Sequence, residues 1–208
     1  MPEWCFTSIT ISCESKEAAN GLYEKIKEWT SKEYHWSDFG KNWLGNIVGN
    51  SGIDTKEERR DFSVKCRGSL VYVDVSDNLL IVDVETAWTP MLKMWVMICD
   101  KYLGENKYKL YYCAEESSAE LYVTNDPAFS DTYDVYVNDT TETKRLCDII
   151  GTDSALELSE KECVTVLREF LRTKESDVDT LLGMLWKSPA GEYVEVKKCK
   201  YAAITEWD

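Results

Sequence analysis

Residues 79–125, LLIVDVETAWTPMLKMWVMICDKYLGENKYKLYYCAEESSAELYVTN, decide how this chain folds. Leu79 to Glu85 is an apolar strand, the return half of a hairpin turned at Ser76-Asp77-Asn78. Thr86-Ala87-Trp88-Thr89-Pro90 breaks that strand. Thr89 is positioned to cap the next helix, and Pro90 suits its first position, where an N–H would go unpaired anyway. Met91, Met94 or Trp95, Ile98 and Tyr102 form the buried stripe of that helix, and Gly104 ends it in the left-handed conformation. Trp88 and Trp95 are expected in the core. Tyr108 to Cys113 and Ala119 to Thr124 then read as two strands joined by the polar turn Glu115-Glu116-Ser117-Ser118.

Upstream, Glu3 to Cys13 alternates strictly. Cys5, Thr7, Ile9, Ile11 and Cys13 share one face and Trp4, Phe6, Ser8, Thr10 and Ser12 the other, which predicts a strand with one buried face. Ser15 caps a helix carrying Ala18, Leu22, Ile26 and Trp29 at helical spacing. Residues 30–60 read as an irregular excursion: Trp36, Phe39 and Trp43 stand among Gly40, Gly45, Gly49 and Gly52, and Lys56 to Arg60 makes a solvated charged end. A long strand resumes at Phe62 and runs to Val75, with a bulge expected at Gly68.

The order βαββαβ, followed by a further strand, predicts an α+β fold: a ferredoxin-like sandwich with two helices on one face of an antiparallel sheet. A strand at Thr132 to Val137 completes a first domain over residues 1–138. Residues 139–208 read as a C-terminal extension of helices and strand packed on it. There, Ser159-x-x-Glu162 is a capping box, Val178, Leu181, Leu182 and Leu185 mark a second helix, and Glu192 to Ile204 makes a closing strand.

Charge narrows the possible partners. The chain has 208 residues, with 38 Asp and Glu against 24 Lys and Arg, so its net charge is −14. Nucleic acid and anionic membranes repel such a protein, and neither is expected as a direct partner. No apolar run approaches the roughly 20 residues of a membrane span. Met1-Pro2-Glu3-Trp4 shows no basic and apolar leader, so a cytoplasmic location with reduced thiols is expected. The eight cysteines contain no C-x-x-C pair and mostly fall on apolar faces, as small core residues do.

Catalytic patterns are sparse, and the chain is expected to act without enzymatic chemistry, cofactor or metal. His35 is the only histidine and sits between Tyr34 and Trp36, with no nucleophile elbow elsewhere. Gly45 to Gly52 lacks the Lys-Ser/Thr of a phosphate loop and reads as a turn-rich loop. Asp74, Asp83, Glu85, Glu115 and Glu120 lie on or near strands, as chance would arrange in so acidic a chain. Phe62, Tyr111, Tyr112 and Tyr122 can furnish an aromatic sheet face of the kind that stacks bases, but the basic surround is missing.

Met1-Pro2-x-Trp4-Cys5, the aromatic-rich middle with Asn42-Trp43, Thr86-Ala87-Trp88-Thr89-Pro90 and Tyr112-x-x-Glu115 together resemble the YubB-type ferredoxin-like proteins of plasmids and phages, over about residues 1–125. Leu44 stands where that family tends to place glycine after Asn-Trp. The resemblance implies a mobile genetic element and transfers no catalytic activity.

Between Glu105 and Glu142 nine carboxylates face only Lys107 and Lys109. Glu115, Glu116, Glu120, Asp126, Asp131, Asp134 and Asp139 are the candidate partner-binding residues, an acidic track able to mimic phosphates. With the mobile-element setting, they point to an inhibitor that binds the basic surface of a host nucleic-acid-binding or defence protein, in the manner of an anti-CRISPR. The alternative is an accessory or scaffold module recognising a small ligand or a protein, and charge that merely protects a sheet edge accounts for the same residues.

Overall fold

The computed structural model describes residues 3–32, 40–53, 64–116, 121–151 and 155–207. The chain divides into two compact units, Met1–Asp126 with Ala202–Asp208, and Pro127–Tyr201.

In the first unit β1 (Trp4–Cys13) pairs antiparallel with both β3 (Leu79–Ala87) and β4 (Tyr108–Glu116). β2 (Gly68–Ser76) flanks β3 with a register shift between Leu70 and Tyr72. β5 (Leu121–Thr124) flanks β4. A two-residue strand, β9 (Lys200–Tyr201), lies just before the chain re-enters this unit, and the sheet order is β2-β3-β1-β4-β5-β9. Alternation along β1 follows the expected faces, with Cys5, Thr7, Ile9, Ile11 and Cys13 buried. These apolar residues share one core with three helices: α1 (Lys16–Ser31), α2 (Leu44–Ser51) and α3 (Leu92–Tyr102).

α2 corrects the expectation of a turn-rich loop. Leu44, Ile47, Val48 and Ser51 are buried at positions i, i+3, i+4 and i+7, a helical stripe that outweighs the poor propensity of Gly45 and Gly49. Its neighbours complete its ends. Asn46 is buried and donates from Nδ2 to the carbonyl oxygens of Gly40 (2.7 Å) and Lys41 (3.2 Å). At the C-terminal end Gly52 adopts φ 65°, while Lys101 Nζ donates to the Ser51 and Gly52 carbonyls and Tyr102 Oη to that of Ser51. Cationic donors at a helix C-terminus satisfy orphan carbonyls and match the dipole. The neutral amide of Asn50 satisfies orphan carbonyls at the end of α1, donating to those of Trp29 and Lys32. This segment is a structural helix with tied ends.

α3 begins at Leu92, later than Pro90 predicts, because Thr89 is engaged in the preceding turn, where its carbonyl accepts from Thr86 Oγ1 at 2.8 Å. Trp95 is fully buried, as expected. The C-terminal residues are fastened to the sheet of this unit, since Tyr112 Oη donates to the Ala202 carbonyl and accepts from Trp207 Nε1.

In the second unit β6 (Thr132–Val137) is flanked by β7 (Ala155–Ser159) and β8 (Val194–Lys198), in a separate antiparallel sheet of order β7-β6-β8. Tyr133, Val135 and Val137 pack with α4 (Lys144–Ile150), α5 (Glu160–Leu171) and α6 (Val178–Trp186) in a core of their own. The predicted capping box opens α5: Glu162 N donates to Ser159 Oγ and the Ser159 backbone N–H to Glu162 Oε2. Asp177 caps α6 by accepting from Thr180 N at 2.8 Å. The closing strand expected over Glu192 to Ile204 is instead divided between β8, β9 and flanking single turns.

The α+β class therefore stands, but the ferredoxin-like βαββαβ sandwich with a C-terminal extension does not. The fold is larger, with two sheets of six and three strands and six α-helices among the described residues. α2 enters between α1 and β2, and the strand at Thr132–Val137 founds a second sheet because both its pairing partners come from later in the chain.

Candidate functional site

The faces of the six-stranded sheet differ. One carries the core, and the other begins with the outward half of β1, where Trp4 is 52% and Phe6 44% exposed. Register assembles the rest of this outer face. Phe6 lies opposite Glu85 on β3 and Glu115 on β4, and Glu115 lies opposite Tyr122 on β5. One step along, Ser8 lies opposite Asp83 and Cys113, and Asp83 opposite Tyr72. The next step sets Thr10 opposite Ile81 and Tyr111, with Asp74 beyond Ile81. The charged residues of these described strands on this face are thus Asp74, Asp83, Glu85 and Glu115 against Lys109.

Local bonding tunes these groups. Tyr72 Oη donates to Asp74 Oδ2 at 3.0 Å, and that carboxylate holds the phenol above its ordinary pKa, so the hydroxyl stays protonated. Asp74 Oδ1 also accepts from the backbone N–H of Val75 at 2.8 Å, placing a charged acceptor on the edge strand of the sheet. Asp83 Oδ1 is shielded from solvent and has no hydrogen-bond donor among the described residues.

Trp88 corrects a core assignment: it is 50% exposed, with φ 66°. A bulky residue rarely takes this conformation. Thr86 Oγ1 bonds to the carbonyls of both Thr89 and Cys5, while Trp88 N donates to Glu3 O, and these bonds hold the turn so that the indole points outward. The Arg67 guanidinium lies 4.8 Å from the centroid of that indole. Trp4, paired with Ala87, belongs to the same end of the sheet.

The predicted acidic track is distributed differently from its sequence order. Glu115 is on the outer face and partly exposed. Glu116, at 3% exposure, points to the opposite face, in phase with Leu110, Tyr112 and Ala114. Glu120 lies outside the described residues. Asp126 is half-buried after β5, its N–H donating to Thr124 Oγ1. Asp131, Asp134 and Asp139 belong to the second unit. Asp131 is 3.4 Å from Lys198 Nζ, Asp134 lies opposite Lys197 of β8, and Asp139 is exposed before α4. The carboxylates that register does bring together with Glu115 are Asp74, Asp83 and Glu85, and strand alternation is the signal that finds them.

Nucleophile and metal chemistry gain no built site among the described residues. Burial pushes the thiols of Cys5, Cys13 and Cys99 up, and that of Cys163 up to about 11, away from the thiolate form. Among the described residues no group of three His, Cys, Asp or Glu is placed to hold a metal ion, and no helix is long and apolar enough to cross a membrane. His35, Trp36, Phe39, Lys56 to Arg60 and Phe62 lie outside the described residues. No protein-family model matches the chain, and no curated protein or solved structure matches it.

Proposed function

We propose that this protein acts by binding, with the outer face of its six-stranded sheet docking on the basic, nucleic-acid-binding surface of a partner protein. The observation that carries the reading is the exposure of Trp4 and Phe6 on a face where the strand carboxylates Asp74, Asp83, Glu85 and Glu115 outnumber Lys109 and the Arg67 that stacks on Trp88. Exposed aromatics supply the apolar anchors of interfaces, and carboxylates around them steer a cationic partner and reject nucleic acid. The resemblance to YubB-type proteins of plasmids and phages extends the proposal. In that setting the partner is a nucleic-acid-targeting defence complex in the bacterial cytoplasm, and occupying its basic surface inhibits it.

Expression of the protein in bacteria carrying a panel of such defence systems tests this reading. One or more systems should lose protection against phage or plasmid, and the variant Phe6→Ala/Glu85→Lys should restore it at equal protein level. A panel in which every system keeps full protection would remove the inhibitor reading. Inhibition unchanged by the double variant would remove the outer face as its cause.

A further inference from the structure

Phe6 occupies an unusual position for an exposed ring. Aromatic or β-branched cross-strand neighbours stabilise an aromatic in a sheet by packing against it. Here both direct neighbours are glutamates, Glu85 and Glu115, and the ring keeps 44% of its surface exposed. Directly opposite residues have Cβ atoms about 5 Å apart, so the Glu85 side chain starts beside that of Phe6, within reach of a group laid on the ring. On the other side of Glu85 the neighbour is the small Ser69, which leaves that carboxylate exposed. The ring of Phe6 thus keeps an exposed surface between two glutamates, and Glu85 has no ion-pair partner within 4 Å among the described residues.

A ligand that meets both needs presents a flat cationic surface to the ring and N–H donors to the carboxylate. A guanidinium does so in one group: it stacks on aromatic faces and forms bidentate bonds with carboxylates. An ammonium offers only a compact, strongly hydrated charge. The same end of the sheet contains this geometry within the chain, where the Arg67 guanidinium stacks on the exposed indole of Trp88.

We infer, resting on the binding reading above, that the outer face recognises its partner through an arginine side chain laid over Phe6 and bonded to Glu85. Glu115, on the other side of the ring, adds to the field that draws the arginine in. Lysine at the same place retains the charge attraction and loses the stacked, bidentate fit. The site thus selects an arginine-bearing segment over an equally charged lysine-bearing one.

Calorimetric titration of the full chain with nona-arginine and with nona-lysine, at low and at moderate salt, tests the inference. The arginine peptide should bind about tenfold more tightly. Phe6→Leu, which keeps apolar bulk without a π face, should bring the two peptides to equal affinity while leaving residual binding of both. Equal affinity of the wild-type protein for the two peptides would overturn the arginine inference and leave the basic-partner reading in place. Absence of binding to either peptide at low salt would overturn both. All these residues are on the surface, and circular dichroism of each variant verifies the fold.

Discussion

Replacing Trp95 by alanine is expected to destabilise the first unit by about 3–5 kcal/mol, the range for removing a large aromatic from a packed core. Trp95 is fully buried among the residues of α1, α2, α3 and the inner sheet face, so the vacated volume has no solvent route to fill it. Its Nε1–H is buried without a hydrogen-bond acceptor among the described residues. That orphan donor makes the comparison with Trp95→Phe informative. Phenylalanine leaves a smaller cavity but also removes a polar group whose unpaired burial costs on the order of 1–3 kcal/mol. The phenylalanine variant should therefore lose less than about 1.5 kcal/mol. Urea unfolding gives the totals, and hydrogen exchange along β1 and α3 separates the first unit from the second. A phenylalanine variant as unstable as the alanine one would mean that the indole N–H is satisfied.

Gly68→Ala is expected to cost about 2–3 kcal/mol, high in the range for overpacking. A Cβ at Gly68 would stand 2.3 Å from the Glu85 carbonyl oxygen and 2.9 Å from Thr86 Cα. Both are main-chain atoms of the neighbouring strand, so relief requires β2 to part from β3 where β2 begins. Separation there also loosens the bond from Ala87 N to the Arg67 carbonyl, and with it the stacking of Arg67 on Trp88. The expected signature is a lower urea midpoint together with a change in tryptophan fluorescence from the exposed indole. A cost below about 0.5 kcal/mol would show that the strands yield freely at this point.

Much of this fold is legible in residue order, and the failures have physical causes. β1 is read correctly because strict alternation over ten residues has no helical competitor. The start of α5 is read from Ser159 and Glu162 because a capping box is local chemistry. α2 is missed because its apolar positions are interleaved with glycines whose propensity argues against a helix, whereas burial and side chains from α3 decide the matter. β6, expected to complete the first domain, founds a second sheet because strand pairing is non-local and its partners β7 and β8 lie later in the chain. Trp88 is misread because size favours the core while the hydrogen bonds of Thr86 impose a turn that aims it outward.

The acidic residues teach a finer lesson. Counting carboxylates along residues 105–142 treats neighbours as companions, yet Glu115 and Glu116 diverge to opposite faces because side chains alternate along β4. Applied across strands, the same alternation gathers Asp74, Asp83, Glu85 and Glu115 on the face of Phe6 from stretches far apart in the chain. Residue order shows each of them as a strand carboxylate. Only the register shows that they share a face.

If this face binds a basic protein surface, binding must depend on both its aromatic anchor and its carboxylates. The decisive quantity is the affinity of the wild-type chain and of the Phe6→Ala/Glu85→Lys/Glu115→Lys variant for a captured nucleic-acid-binding partner across a salt series. Wild-type binding should weaken steeply with salt and be displaced by nucleic acid, and the variant should lose at least about a hundredfold in affinity. Equal affinities for wild type and variant, with the same salt dependence, would contradict binding through this face.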